Sequence, residues 1–106
     1  MLPVRIVYQV VTGMLLCCMI RKKVAVKNSS GIHARPASKL VKLASKFKSD
    51  FFIYMYGYKI NGKSILGVMT LAAEQGAELE LETSGPDEKE AMGAIEDLIN
   101  SGFDEE

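Results

Sequence analysis

The sequence predicts an α+β fold, an open-faced β-sandwich in which one sheet carries three helices on one face, and three observations point there. Apolar residues recur at every second position around residues 23–27, 51–60 and 77–82, and at helical spacing around 34–47 and 87–99. The two periods alternate along the chain in the order β-α-β-β-α-β-α, which one sheet covered by helices satisfies. The 106 residues, 48% of them hydrophobic, suffice for one domain with its own core, without disulfides or a metal as staples.

Each element has a local reason. Lys23-Val24-Ala25-Val26-Lys27 alternates as a first strand with Val24 and Val26 inward. The turn-rich run Asn28-Ser29-Ser30-Gly31 follows, and a first helix is expected from about Ala34 to Phe47. Pro36 fixes its start, because proline is tolerated in the first helical turn, where its missing N–H has no role. Ala37, Leu40, Val41, Leu43, Ala44 and Phe47 make the apolar stripe, with Lys39, Lys42 and Lys46 facing water. Phe51 to Tyr56 reads as a second strand that turns at Gly57 into a third through Ile60, a hairpin. Ser64 suits the N-cap of a short second helix reaching about Ala73. Ala77-Glu78-Leu79-Glu80-Leu81-Glu82 alternates as a strand with one wet face. Asp87, with Glu90 three residues on, resembles a capping box opening a last helix that buries Ala91, Met92, Ile95, Leu98 and Ile99.

Formal net charge is zero, yet charge is segregated along the chain. Residues 21–48 hold nine Lys/Arg and no acid, whereas 74–106 hold twelve Asp/Glu and a single base, Lys89. The basic third surrounds His33, an asymmetry that draws a phosphorylated or acidic partner and raises its on-rate. The neutral balance argues against nucleic acid as a partner. Cys17 and Cys18 are adjacent, which suits neither an ordinary disulfide nor a chelating pair and fits a reducing cytosol.

Residues 1–19 form an apolar extension ahead of a domain at 20–106. Up to residue 20 the one charge is Arg5, and Arg21-Lys22-Lys23 follows. A signal peptide lacks its small-x-small cleavage pattern, and a lipobox would want a small residue where Leu16 precedes Cys17. An apolar run of about 20 residues can span a bilayer, so membrane contact is expected only if residues 1–20 act as an anchor, with the basic triplet keeping the domain cytoplasmic. The plainest alternative is that translation naturally begins at Met19. The extension has a further expected role. Phe52, Tyr54 and Tyr56 should project from the sheet's open face, beside Glu78, Glu80 and Glu82 and near Lys23 and Lys27. Either the extension folds back over those rings, or they are exposed or pair between subunits.

The chemistry centres on His33, the single histidine. It stands at a helix start, where the first N–H groups lack intrahelical partners and the dipole is positive, and Arg35 follows two residues later. That setting suits a phosphoryl group. Imidazole is nucleophilic near pH 7 and a good leaving group once protonated, and the arginine fork matches phosphate oxygens. Phosphoryl transfer asks mainly for positioning and charge stabilisation. No Asp or Cys lies close in sequence to complete a hydrolytic triad or a metal site, so neither metal nor cofactor is expected. Without other signals, such a histidine is more often a cap or a surface residue than a catalyst.

Further signals exist. Gly31-Ile32-His33-Ala34-Arg35-Pro36-Ala37, then Gly62-Lys63-Ser64-Ile65-Leu66-Gly67-Val68-Met69, then Gly85-Pro86-Asp87-Glu88-Lys89-Glu90-Ala91 resemble, in order and spacing, the HPr family, the histidine phosphocarriers of the bacterial phosphotransferase system. The resemblance covers about residues 20–106. It implies that the sheet is four-stranded and antiparallel. It implies that His33 takes a phosphoryl group on Nδ1, as a pros-phosphohistidine, from phosphorylated enzyme I, itself charged by phosphoenolpyruvate. Enzyme IIA domains would then receive it for sugar uptake, with Arg35 as charge partner. The chain would be a cytoplasmic carrier and protein substrate, not an autonomous enzyme.

Ser64, which could simply be an N-cap, matches a regulatory serine phosphorylated by an HPr kinase/phosphorylase in bacteria that have one. Gly62 departs from the larger apolar residue common in that place. Ile65, Leu66 and Met69 share one face of the second helix, with Val68 and Leu71 free to point inward; all could be core. The resemblance instead makes the first three an exposed patch that docks enzyme I and enzyme IIA, as flexible apolar side chains can repack against several partners. Two other readings stand. One is a nitrogen-type regulatory phosphorelay, which the ending Asn100-Ser101-Gly102-Phe103-Asp104-Glu105 resembles, although Lys63-Ser64-Ile65 favours the sugar branch. The other is a non-phosphorylated interaction module on the same fold, against which an intact His33 argues.

Overall fold

Where the sequence alternates, strands form and bury one side; where apolar residues return every three or four positions, helices lie on that side. The structure, a computed structural model, describes residues 4–11 and 14–104. In chain order the elements are β1 (Val4–Val11), β2 (Met14–Ala25), α1 (Ala34–Ala44), β3 (Asp50–Met55), β4 (Tyr58–Asn61), α2 (Ile65–Thr70), β5 (Glu78–Ser84) and α3 (Glu88–Asn100). The sheet order is β1-β2-β5-β3-β4, and every neighbouring pair is antiparallel. The expected four-stranded antiparallel sheet is thus present as β2-β5-β3-β4, with a fifth strand added at its β2 edge.

That fifth strand comes from the apolar extension. β2 begins at Met14 rather than Lys23, because residues 14–18 have β1 as their partner, with Cys18 opposite Tyr8 and Cys17 opposite Gln9. From Met19, opposite Ser84, β2 also pairs with β5. β1 therefore continues the sheet edge to edge and does not fold back over its face. Among the described residues no helix is long and apolar enough to cross a membrane.

Two of the rings on the open face, Phe52 and Tyr54, are partly covered by other means. The Arg21 guanidinium lies 4.6 Å from the centre of the Tyr54 ring, and Lys59 Nζ lies 4.3 Å from that of Phe52. Their aliphatic stems and charges cover part of the aromatic surface, while Tyr56 and Tyr58 are exposed. The wet face expected for β5 is also corrected. Glu82 is only 5% exposed. It accepts from Arg21 Nε at 2.9 Å and from the Tyr54 hydroxyl at 2.8 Å. The register puts Arg21 directly opposite Glu82, whereas Lys23 falls opposite Glu80. Burial, and then the hydrogen bond to Glu82, pushes the Tyr54 phenol above its ordinary value.

On the other face the core joins Val24, Phe51, Ile53, Leu79 and Leu81 of the sheet to Leu40 and Val41 of α1, Val68 of α2 and Ile95 and Ile99 of α3. α1 stops at Ala44, three residues before Phe47, whose N–H bonds back to Ala44 in a turn. Lys39 does not simply face water: its Nζ donates to the carbonyl of Phe103 at 2.8 Å. Phe103, beyond the end of α3, is fully buried.

The capping box expected at α3 does not form. The Asp87 carboxylate makes no cap bond within its own helix. It instead accepts from the Lys48 and Ser49 N–H groups, each at 2.9 Å, and from the Ser49 hydroxyl. Those bonds, the Ser49 hydroxyl's first, pull Asp87 down from 3.8 to about 2. Glu88 takes the Gly85 N–H at 2.9 Å. The unusual Gly62 also has its reason: a Cβ there would lie 2.1 Å from the Phe51 ring.

Candidate functional site

The turn before α1 is built to hold one conformation. Asn28 Nδ2 donates to the Gly31 carbonyl at 2.7 Å, and the Gly31 N–H returns to the Asn28 carbonyl at 3.2 Å. Gly31 has φ +73° and passes so close to the end of the α2 segment that a Cβ would lie 2.3 Å from the Ala73 carbonyl oxygen. Only glycine fits such a position without strain. Immediately after it, the Ile32 N–H donates to that same carbonyl at 2.8 Å, and the Ile32 side chain is buried.

This anchoring delivers His33, exposed, to the N-cap of α1 with extended backbone (φ −124°, ψ −161°). Its carbonyl accepts the Ala37 N–H at 2.9 Å, while its side chain makes no cap bond. The ring is held from the turn side instead, with Nε2 3.1 Å from the Ser30 hydroxyl. Pro36 sits in the first turn as expected and is buried. Because Pro36 has no N–H and Ala37 starts the helical ladder, the Ala34 and Arg35 amides are the helix-start donors that an anion can use. The Arg35 side chain is exposed, and the first turn carries no acid to repel an anion.

The segment that follows α2 lies against this loop through Ala73. Ser64 is the N-cap of α2, with Oγ accepting the Gly67 N–H at 3.1 Å, so the expected capping role is real. Val68 is fully buried, and Leu71 is half-buried against the core. Ile65, Leu66 and Met69 are 43%, 78% and 41% exposed, so the three are not core. The structure thus brings His33 and Arg35 together at one helix start, with the exposed α2 face on the neighbouring element. Among the described residues no cluster of three or more His, Cys, Asp or Glu could hold a metal ion.

Comparison with known proteins agrees with this arrangement. The family model described as the PTS HPr component phosphorylation site matches residues 20–101, a span that includes every residue named above at the histidine and on α2. The chain belongs to the HPr family. It is 48% identical to phosphocarrier protein HPr of Treponema pallidum over 88 residues, covering 83% of this chain and all of that one. It is 43% identical to phosphocarrier protein NPr of Proteus mirabilis over 80% of this chain and 96% of that one. HPr-like protein Crh of Halalkalibacterium halodurans is 47% identical over 73% of this chain and 92% of its own. The crystal structure of HPr-C-His from Thermoanaerobacter tengcongensis superposes with a TM-score of 0.78 at 44% identity, covering 81% of this chain and 97% of that one.

Two HPr-site residues escape a reading of the sequence alone. Asn28 and Ser30 belong to a run that reads only as turn-forming, yet one fixes the Gly31 peptide and the other meets the imidazole. The signal was present for Asn28, since an asparagine side chain often closes a turn onto backbone nearby. For Ser30 the three-residue spacing to His33 carries no such hint.

Proposed function

We propose that this HPr-family chain is a cytoplasmic phosphocarrier in which His33 accepts a phosphoryl group from phosphorylated enzyme I and passes it to enzyme IIA domains. The observation that carries the reading is an exposed imidazole at the N-cap of α1, next to the helix-start amides and two residues before Arg35, which is exposed in the same first turn. Each part has a use. Imidazole forms a labile nitrogen–phosphorus bond; the amides and the arginine fork meet the phosphoryl oxygens with charge-assisted hydrogen bonds. The chain is a protein substrate in both transfers and not an enzyme by itself. Ile65, Leu66 and Met69 form the docking patch, since exposed apolar side chains on a helix next to the acceptor bury well against a partner. Ser64 is the regulatory serine: a phosphate on its oxygen adds close to two negative charges at the edge of that patch and weakens docking.

Incubation with phosphoenolpyruvate and enzyme I, followed by intact-mass measurement, tests this. One phosphoryl group should appear, stable to alkali and lost in mild acid, and His33→Ala should abolish it. Arg35→Ala should slow transfer with the fold intact, because Arg35 is exposed. Labelling of His33→Ala at the wild-type rate would overturn the reading. A relative named NPr favours a second pathway for the same chemistry, a nitrogen-type regulatory relay. Rates with enzyme I of the sugar system and with its nitrogen-branch counterpart distinguish the two.

A further inference from the structure

We infer that Ser30 is a positioning residue that selects the reactive tautomer of His33. The inference rests on His33 being the phosphoryl acceptor. A neutral imidazole has one N–H and one lone pair, and the hydrogen bond made by one nitrogen decides which nitrogen is left to react. Ser30 Oγ lies 3.1 Å from Nε2. A hydroxyl oxygen that accepts the Nε2 proton leaves the lone pair on Nδ1, the ring nitrogen closer to the backbone.

Two features make Ser30 fit to accept. Asn28 Nδ2, which can only donate, approaches the same oxygen at 3.5 Å, so the hydroxyl sits where N–H groups converge. The turn that carries it is also rigid, since the same Asn28 amide grips the Gly31 carbonyl at 2.7 Å and Gly31 is wedged against Ala73. A fixed acceptor orders the ring more than a mobile one does.

The role strengthens as the reaction proceeds. Nδ1 gives its lone pair to phosphorus, and the bond from phosphorus to the donor protein breaks with its electron pair leaving on the donor atom. The Nε2 proton stays on the ring. As Nδ1 becomes bonded, the ring takes on positive charge and Nε2–H becomes a stronger donor to Ser30. The hydrogen bond is therefore stronger in the transition state than before it, the condition for accelerating the step. In onward transfer the nitrogen–phosphorus pair returns to Nδ1 and the proton again stays at Nε2.

The test is nitrogen-15 NMR of the His33 ring in the wild-type chain, Ser30→Ala and Ser30→Thr, together with initial rates of phosphorylation by enzyme I and phosphoenolpyruvate. The neutral wild-type ring should carry its proton on Nε2. Ser30→Ala should shift the ring toward a mixture of tautomers and slow phosphorylation about three- to tenfold, the worth of one such hydrogen bond. Ser30→Thr, which keeps the hydroxyl, should restore both, with Gly31 and Ile32 amide shifts showing that the turn is intact. A wild-type ring protonated on Nδ1, an unchanged tautomer in Ser30→Ala, or a threonine variant as slow as alanine overturns the inference. Failure of the acceptor reading is seen separately, as labelling that persists in His33→Ala.

Discussion

Replacing Gly31 by alanine tests whether the fold and the site depend on the same close contact, and Gly57 is the natural control. Both glycines have positive φ, +73° and +80°. An alanine forced into that region is destabilised by about 1–2 kcal/mol, partly offset by about 0.4–1 kcal/mol from the stiffer unfolded chain. At Gly57 an added Cβ meets nothing within 4 Å, so Gly57→Ala should lower stability by about 1 kcal/mol or less. At Gly31 the Cβ would lie 2.3 Å from the Ala73 oxygen and 3.0 Å from Glu74 Cα, both backbone. Relief requires Ile32 N–H to part from the Ala73 carbonyl. The lost bond adds about 0.5–1.5 kcal/mol, and a group left unsatisfied in the interior adds more, for a total of about 2–4 kcal/mol. At about 4 °C per kcal/mol in a domain of this size, Tm should fall by about 8–16 °C for Gly31→Ala and by no more than about 4 °C for Gly57→Ala. Urea denaturation and thermal melts of the two variants measure the difference. Phosphorylation by enzyme I should also slow in Gly31→Ala alone, because the displaced segment leads directly into His33. If the two variants differ in stability by less than about 1 kcal/mol, the contact between the loop and the segment after α2 does not hold the site, and the reasoning fails.

Two further outcomes are expected. Asp87 is held at about 2, below its ordinary 3.8, so its contribution to stability is fully present above the ordinary value and is lost as pH falls through about 2. Asp87→Asn should therefore flatten the fall in urea midpoint over that acid window, and an equally steep fall would remove Asp87 as its cause. A chain beginning at Met19 loses β1 and residues 14–18 of β2, but it keeps the ladder from Met19–Ser84 to Ala25–Glu78. It should be phosphorylated at the full-length rate, and the Tyr54 amide should exchange equally slowly in both chains, because β3 pairs with β4 and β5. Faster exchange at Tyr54 in the shorter chain would show that the extension protects the sheet face after all.

The legible parts of this chain were those decided by local rules. Val24 and Val26 alternate inward, Pro36 marks the first turn of α1, and Ser64 caps α2, because each outcome depends on neighbours a few residues away. The exposure of Leu66 against the burial of Val68 likewise follows from helical spacing. What failed depended on partners distant in sequence. Asp87 has Glu90 at capping-box spacing, yet its carboxylate is claimed by Lys48 and Ser49 far earlier in the chain, where three donors outcompete one. Glu82 looked wet by alternation, but register set it opposite Arg21 and within reach of Tyr54. Phe103 lies beyond the last periodic helix, so no pattern marked it as core.

The charge pattern shows how such long-range pairing bears on function. Along the sequence, the basic stretch 21–48 looks like a uniform field around His33. Folding divides it. Antiparallel pairing of β2 with β5 and packing of α3 across the sheet bring acids of the last third onto its early members, Arg21 onto Glu82 and Lys22 onto Glu96. An ion pair cancels most of its field beyond a Debye length, about 8 Å at physiological salt. Arg35, Lys42 and Lys46 remain exposed on α1 and just past its end. Lys23, Lys27 and Lys48 of the same stretch are exposed too, so the two ion pairs trim the positive region at β2 without confining it to α1. For the proposed acceptor His33, the cations left to steer an acidic or phosphorylated partner are then the exposed ones on either side of it, Lys27 before it and Arg35 after it among them, and not Arg21 or Lys22.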